Sequence, residues 1–399
     1  MSPAAPTDST TAPLEGIRVV DCTQMLSGPF ASQLLGDLGA EIVKIERPGV
    51  GDITRRIDPA IDGDEITAYF ASLNGGKKSV ELDCSTDDGA AALEALVDTA
   101  DVLIENYKPG TMERWGLGYE ALAETNPELL YCSITGFLEG PYSDLPAFDM
   151  VVQALSGSMS ITGEADGPPV RPGLPIGDIC AGMYAVIGIT TALGVREECG
   201  GQHIQVPMFG GLVSWLTERA GRTFATGEPY PRNGSQHASL APYRLFEAED
   251  GWLALAIGSD RSWDRLCVAI DRPDLREDPR FATNAARLEH RSTLAELLEG
   301  VIESTTTEVW FNRFREYGVP GAPVNDTIDV FEDEHLEQAP YTVERTVGET
   351  PMTFVTAPIS FSGLETRQNR DIPNLGEHTT AVLSDVLSPS ALRTLQHST

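Results

Sequence analysis

The fold is decided by a stretch that reads Ile17-Arg-Val-Val-Asp21, then Ser27-Gly-Pro-Phe30 and, further on, Glu41-Ile-Val-Lys-Ile-Glu46. Two short apolar runs, rich in β-branched residues, flank a segment that favours a helix from Ser27 to Leu38. A strand, a helix and a second strand in this order form a βαβ unit, whose two strands lie parallel. The stretch therefore predicts a parallel sheet covered by helices.

The loop inside this unit argues against a nicotinamide cofactor. Glu46, an acidic residue at the end of the second strand, is typical of dinucleotide-binding units. The loop Thr23–Gly28, however, lacks the Gly-x-Gly-x-x-Gly pattern that lets the backbone approach a pyrophosphate. The unit is thus expected to serve another ligand.

Strands and helices continue to alternate along the first half of the chain. Further strands are predicted at Val80–Asp83, Val102–Glu105, Leu129–Ile134 and Gln202–Pro207. After a Gly- and Pro-rich linker, Thr226–Tyr243, the pattern changes to a hairpin followed by helices. We predict an α/β protein with a large Rossmann-like domain of parallel strands (1–225), a smaller α+β domain (226–339) and a C-terminal return to the large domain (340–399).

One carboxylate stands out at the head of a long apolar segment. A loop rich in Gly and Pro leads to Gly177-Asp178, and the residues from Ile179 to Val195 carry no charge. The pattern predicts that Asp178 caps a buried helix, where free amides and the helix dipole stabilise its charge. Most Asp residues in such a place only cap the helix. The alternative is a chemical role at the inner end of a cleft, and the pattern alone leaves both open.

The charge is strongly acidic and is spread along the whole chain. There are 60 Asp and Glu but only 28 Lys and Arg, a formal net charge of −32 at pH 7. Salt screens such self-repulsion, so the composition indicates a halophilic source, with an ordinary acidic protein as the alternative. It also argues against nucleic acid as a partner.

Cysteine usage and hydropathy suggest a cytoplasmic protein. Six dispersed cysteines form neither a Cys-x-x-Cys pair nor a Cys/His cluster, so no metal site is expected. The polar first residues lack the order of a signal peptide. No uninterrupted apolar run reaches the ~18 residues of a membrane span, and no membrane partner is expected.

Taken in order, several blocks resemble family III CoA transferases, the group that includes formyl-CoA transferase and carnitine CoA transferase. The resemblance extends from about Pro13 to Leu387. The blocks are Pro13–Asp21, Gly28-Pro29, Gly36–Glu46 with Gly51-Asp52, Lys77–Asp83, Glu105–Gly110, Gly177-Asp178, Gly318–Val324 and Leu375–Thr379.

The resemblance implies that Asp178 is a covalent nucleophile. A carboxylate attacks the donor thioester to give a mixed anhydride, and the released CoA thiolate converts the anhydride into an aspartyl-CoA thioester. The acceptor carboxylate then takes over the CoA through a second anhydride. Every leaving group is a stable anion, so no cofactor is implied beyond coenzyme A as a substrate.

The family's binding residues carry over to loops at the ends of strands. The basic residues have an alternative role as surface ion-pair partners, and Tyr69 has one as a core residue. The implied CoA-binding residues are Gln24, Met25, Arg47, Tyr69, Asn106, Lys108 and Arg114. Leu26 stands where formyl-CoA transferase has a glutamine, which argues against a formyl/oxalate substrate pair.

Other activities of the same fold remain alternatives. The related 2-methylacyl-CoA racemases use a His before an Asp, whereas this chain has Phe148 before Asp149, and a phenyl ring cannot move a proton. Intramolecular C1–C4 CoA transfer and a non-catalytic CoA-binding role are further alternatives.

The expected substrates are an acyl-CoA and a small carboxylate. We predict succinyl-CoA as the donor and a dicarboxylate such as mesaconate, malate or itaconate as the acceptor. The family also implies an interlocked homodimer.

Overall fold

The computed structural model of the chain describes residues 11–62, 66–339, 341–347, 349–367 and 371–398. Residues 1–10 of the predicted large domain, and Pro340, with which the predicted C-terminal return begins, lie outside the described residues.

The strands are numbered in chain order. They are β1 Arg18–Cys22, β2 Glu41–Glu46, β3 Ala60–Asp62, β4 Ile66–Thr67, β5 Lys78–Glu81, β6 Val102–Glu105, β7 Leu130–Thr135, β8 Gln202–Pro207, β9 Tyr243–Glu247, β10 Trp252–Ala256, β11 Gly321–Pro323, β12 Thr342–Val347 and β13 Thr350–Val355.

The helices are numbered in the same way. They are α1 Ser27–Asp37, α2 Ala68–Asn74, α3 Asp87–Val97, α4 Thr111–Arg114, α5 Tyr119–Thr125, α6 Asp149–Leu155, α7 Ile176–Cys199, α8 Met208–Ser214, α9 Thr217–Thr226, α10 Asp260–Ala269, α11 Pro273–Glu277, α12 Asn284–Glu289, α13 Arg291–Ile302, α14 Thr307–Tyr317, α15 Thr327–Phe331, α16 Glu334–Gln338, α17 Thr379–Ser384 and α18 Pro389–Ser398.

The described chain forms two compact units. One comprises the described parts of 1–158, 172–218 and 335–399, and the other comprises 159–171 and 219–334. The domain boundaries at 225/226 and 339/340 that the sequence suggests stay a prediction.

A six-stranded parallel sheet organises the first unit. Its order is β5-β2-β1-β6-β7-β8, and every neighbouring pair is parallel. The βαβ unit predicted from residues 17–46 is thereby confirmed, with β1 and β2 as adjacent strands. β1 lies inside the sheet because β2 and β5 lie on one side of it and β6, β7 and β8 lie on the other.

Helices cover both faces of this sheet, because successive strand residues point to opposite sides. Val19 and Ile104 face one layer, which contains α1 and α7. Val20 and Leu103 face the other, which contains α3, α17 and α18. The α/β class and the Rossmann-like arrangement expected from the sequence are confirmed.

The second unit is a smaller α+β body. Its three-stranded sheet has the order β11-β10-β9 with antiparallel pairs, so the predicted hairpin of β9 and β10 is confirmed. Helices α10, α13 and α14 supply Trp263, Leu298 and Trp310 to one apolar core with Phe246 and Leu253 of the sheet.

Helix α7 differs from its prediction in two ways. It begins at Ile176 with Pro175 as the N-cap residue, so Asp178 lies in the first turn and does not cap the helix. The helix is also only partly buried, and Met183 and Ile187 expose 46% and 54% of their surface. Apolar composition alone cannot distinguish a core helix from one with an apolar exposed face.

Buried ion pairs fix the loops that follow β1 and β2. Lys44 and Asp52 lie 2.9 Å apart, and both side chains are fully buried. Asp21 accepts a 3.0 Å bond from the equally buried Lys77. The Lys44 ammonium also donates to the Thr23 carbonyl at 2.9 Å, which ties the loop after β1 to β2. Each charge is stable in the interior only because its partner is present.

Substitution Asp52→Ala should therefore destabilise the protein strongly. It leaves the Lys44 charge buried beside a lost partner, at a cost of roughly 3 to 5 kcal/mol in the free energy of unfolding. Equilibrium urea denaturation measures the change. The matched control is Glu15→Ala, which breaks a half-exposed pair with Arg367 and should cost less than about 1 kcal/mol. Equal losses in the two variants would contradict this account of the loop.

Candidate active site

The candidate site lies at the carboxyl edge of the parallel sheet. Ligands of open α/β sheets bind at this edge, at the strand where the order reverses. Here that strand is β1, flanked by β2 and β6. Gln24 and Met25 follow β1, Arg47 follows β2, and Asn106 and Lys108 follow β6. The fold thus brings five of the predicted binding residues to adjacent loops of one edge.

The loops after β1 and β6 are joined by a reciprocal pair of hydrogen bonds. The Gln24 amide N–H donates to Asn106 Oδ1 at 3.0 Å, and Asn106 Nδ2 donates to the Gln24 carbonyl at 2.8 Å. Both polar groups of the Asn106 side chain therefore hold the loop after β1 in place. The Gln24 side chain is exposed.

Met25 has a left-handed backbone, with φ of 68°. A residue other than glycine adopts this conformation only where its surroundings enforce it. The Met25 N–H donates to Asp52 Oδ1 at 3.3 Å. Asp52 thus joins the buried Lys44 to the exposed loop.

Asp178 is half-buried in the first turn of α7, where unpaired helix amides and the dipole stabilise a negative charge. The amide before it, Gly177 N–H, donates to Asp149 Oδ1 at 2.8 Å. A Cβ on Gly177 would lie 3.0 Å from that oxygen, so the close approach favours glycine. The sequence offered no local signal for this contact, because the two residues are 28 positions apart.

A pocket of about 380 Å³ lies beside this helix start. Most of its lining is apolar, with polar atoms from Asp58, Tyr69 and Ser72. The lining residues are Leu26, Phe30, Asp58, Ala68, Tyr69, Ser72, Leu73 and Ile179. Such a pocket can hold a small acyl group next to the Asp178 carboxylate, with apolar side chains along most of its surface.

Tyr69 contributes a phenolic hydroxyl group to the lining of this pocket. Burial, followed by the negative charges of Asp178 and other carboxylates, raises the pKa of Tyr69 to about 12. Its hydroxyl group is thus protonated at any physiological pH. It can donate to an oxygen that gains negative charge during reaction at Asp178.

The three basic residues of the prediction are exposed on the edge loops. Arg47 lies after β2, Lys108 lies between β6 and α4, and Arg114 ends α4. Arg114 Nη2 donates to Thr111 Oγ1 at 2.8 Å. Exposed cations on adjacent loops suit the phosphate groups of a nucleotide.

The described residues contain no group of three or more His, Cys, Asp or Glu side chains placed to hold a metal ion. Among the same residues, α7 is long and apolar enough to cross a membrane by length and composition. Core helices pass the same test. α7 contacts α1 so closely that a Cβ on Gly182 would lie 2.8 Å from the Ser27 carbonyl.

Glu105, the last residue of β6, has a buried carboxyl group that was not among the candidate site residues of the sequence. Burial raises the pKa of Glu105 to about 7, although the Ser133 hydroxyl and the Tyr107 N–H lower it by hydrogen bonding. Ser133 Oγ also lies 3.0 Å from Nε2 of His203, whose ring stacks on Tyr119. Glu105 directly precedes the loop residue Asn106.

The sequence as a whole matches a family model described as CoA-transferase family III over residues 14–379. A succinate–glutarate CoA-transferase from Agrobacterium fabrum is 37% identical over 387 residues, which are 94% of this chain and 96% of that protein. A succinyl-CoA:mesaconate CoA-transferase from Haloarcula marismortui is 38% identical over 93% of this chain and 96% of its own length. The crystal structure of a CAIB/BAIF family protein from Brucella suis, 35% identical, superposes with a TM-score of 0.87 and covers 95% of this chain and 100% of that one.

Glu105 should make stability depend on pH near neutrality. Its pKa is higher in the folded protein than in the unfolded chain, so the folded state binds the proton more tightly. The free energy of unfolding should fall as pH rises from about 4.5 to about 7, by up to about 3 kcal/mol, and level off above. Urea denaturation at about pH 5 and about pH 8 measures this change.

The variant Glu105→Gln should lose this component, whereas substitution of the exposed Glu124 by Gln should keep it. An identical pH dependence in the wild type and Glu105→Gln would show that this carboxyl group titrates as it does in water.

Proposed function

The chain belongs to CoA-transferase family III, and on this premise we propose that it transfers CoA from succinyl-CoA to a small dicarboxylate through covalent intermediates on Asp178. The relatives from Agrobacterium and Haloarcula, whose names give succinate or succinyl-CoA as a substrate, support the donor. The acceptor is of the mesaconate, malate or itaconate class. The observation that carries the site is the half-buried Asp178 carboxylate beside the 380 Å³ pocket.

The reaction begins with attack of an Asp178 oxygen on the thioester carbonyl of succinyl-CoA. The C–S bond breaks, and a mixed anhydride and the CoA thiolate result. The thiolate then attacks the Asp178 carbonyl carbon, which releases succinate and leaves an aspartyl-CoA thioester.

With the acceptor carboxylate, the same reaction steps run in the reverse order. It attacks the aspartyl thioester and displaces the thiolate, which then attacks the acceptor's own carbonyl in the second anhydride. The product acyl-CoA leaves and Asp178 is a carboxylate again. No step transfers a proton, so the site needs donors for the tetrahedral oxyanions and protection from water. Tyr69 supplies such a donor, and the apolar lining of the pocket supplies the protection.

The edge loops bind the rest of coenzyme A in this proposal. Arg47, Lys108 and Arg114 pair with its phosphate groups, and the loop that contains Gln24 and Met25 lies along the thioester end. These cations are exposed on adjacent loops at the carboxyl edge of the sheet. Arginine favours such sites because its planar donors match phosphate oxygens in pairs.

A homodimer completes the proposal. The exposed apolar face of α7 contains Met183, Tyr184, Ile187 and Val195, and contiguous faces of this kind mark protein interfaces. Light scattering in KCl should give twice the chain mass of 43.0 kDa. A mass of one chain at micromolar concentration would contradict the dimer.

The acidic composition favours a salt-rich cytoplasm, as does the similarity to a Haloarcula enzyme. Screening by salt relieves the repulsion among 60 carboxylates. Transfer activity should be higher at about 1 M KCl than at about 0.1 M KCl. Higher activity at the lower concentration would argue against adaptation to salt.

The central test is mass spectrometry of the protein after incubation with succinyl-CoA. A CoA adduct should form on Asp178 in the wild type. Asp178→Ala should form none and should lose at least about a thousandfold in transfer rate to mesaconate, malate, itaconate or glutarate, because removal of a covalent nucleophile removes the pathway. The exposed Glu139→Gln should behave as the wild type.

An unaltered rate in Asp178→Ala would eliminate Asp178 as nucleophile. Absence of an adduct together with exchange of the α-proton of 2-methylacyl-CoA would favour the racemase alternative.

A further inference from the structure

We propose that Asp149 is a positioning residue for Asp178: its carboxylate, oriented by Gln153, binds the Gly177 N–H and fixes the helix turn from which Asp178 attacks. This inference rests on the proposed covalent role of Asp178. Asp149 itself touches no reacting atom in this account.

Asp149 is held through both of its carboxylate oxygens. Oδ1 accepts the Gly177 N–H at 2.8 Å, and Oδ2 accepts Gln153 Nε2 at 2.7 Å. Asp149 is 9% exposed, and Gln153 is completely buried. A buried carboxylate with a donor on each oxygen cannot rotate about its terminal bond without loss of one hydrogen bond. Its orientation is therefore fixed.

The start of α7 needs an acceptor from elsewhere. Its N-cap residue, Pro175, makes no side-chain capping bond, and the first amides of a helix have no partner inside the helix. Asp149 provides that acceptor from the start of α6. The bond reaches Gly177, the residue directly before Asp178, so a displacement of Gly177 displaces the Asp178 backbone as well.

The packing around Gly177 leaves little room for an alternative arrangement. A Cβ there would lie 3.0 Å from Asp149 Oδ1, 3.5 Å from Leu212 Cδ1 and 3.6 Å from Met208 Cε. The glycine therefore lets the Asp149 carboxylate of α6 and the side chains of α8 both approach closely. Two hydrogen bonds through Asp149 link Gly177 to Gln153, so a shift of one of these residues affects the other two.

The side-chain amide of Gln153 uses its Nε2 donor, but within the described part of the chain its Oε1 acceptor is unused. Among the described residues its Oε1 has no hydrogen-bond partner, although the side chain is buried. Unpartnered buried acceptors are uncommon and unfavourable, and in the part of the chain that the structure describes the hydrogen bond that holds this amide is the one from Nε2 to Asp149. The same feature permits a clean substitution. An asparagine at 149 can accept the Gly177 N–H and donate to Gln153 Oε1.

Asp149 also lies within electrostatic reach of the proposed chemistry. The charges of Asp149 and Asp178 act on the same Tyr69 hydroxyl group and favour its protonated form.

The test compares Asp149→Ala and Asp149→Asn with the wild type in steady-state transfer from succinyl-CoA. Asp149→Ala should lower kcat by roughly 10- to 100-fold, the equivalent of one buried charge-assisted hydrogen bond, with KM for succinyl-CoA within about twofold. Asp149→Asn should recover kcat to within about threefold of the wild type. The rate of adduct formation on Asp178 should follow kcat in each variant.

Controls separate positioning from folding and from the proposed function. Asp144→Ala removes an exposed carboxylate from the same loop and should leave kcat unchanged. If Asp149→Ala does not fold, Gly177→Ala disturbs the same bond and should show the same loss of kcat. A wild type without any adduct would refute the covalent role of Asp178, which is a different failure.

Three results would overturn the inference while the covalent role stands. They are a wild-type kcat in Asp149→Ala, a loss that lies entirely in KM, and an equal loss in Asp149→Ala and Asp149→Asn. The last would show that the negative charge of Asp149, and not its hydrogen bond to Gly177, supports the reaction.

Discussion

The buried ion pairs beneath the loop after β1 are the interaction on which the rest of the site depends. Lys77 donates to Asp21 Oδ2 at 3.0 Å and to Ser32 Oγ at 2.8 Å, and so joins β1, α1 and the start of β5. Burial raises the pKa of Asp21, but the charges of Lys77 and Lys44 outweigh it and hold that pKa well below its usual range. Because these charges are buried, a loop arrangement that separated them from their partners would be strongly disfavoured. Gln24 and Met25 are presented at the sheet edge for this reason.

The sequence predicts the sheet well and the contacts across it poorly. The βαβ unit at 17–46 is predictable because its apolar periodicity is local and its helix is flanked by clear strands. The burial of Lys44 and Lys77 cannot be read in the same way, since a lysine in a strand is normally solvated. Their stability depends on Asp52 and Asp21, whose placement is set only when the strands pair. The resemblance of whole sequence blocks identified the family, but it does not show why these two lysines are buried.

The same limit applies around Asp178. Composition suggested a helix that Asp178 caps and that the core buries, but the helix begins at Ile176, three residues before the predicted start at Ile179, and exposes part of its apolar face. The acceptor at its start comes from Asp149, in an element that precedes a long loop. Local patterns locate a helix end to within a turn. They do not reveal which distant side chain completes it, and the precise direction of a nucleophile depends on that side chain.

A crystal structure of the protein frozen after incubation with succinyl-CoA would show the covalent intermediate on Asp178 itself. The account predicts continuous electron density between Cγ of Asp178 and the sulfur of CoA, with the phosphate groups beside Arg47, Lys108 or Arg114. An unmodified Asp178, with CoA bound away from the carboxyl edge of the sheet, would contradict it.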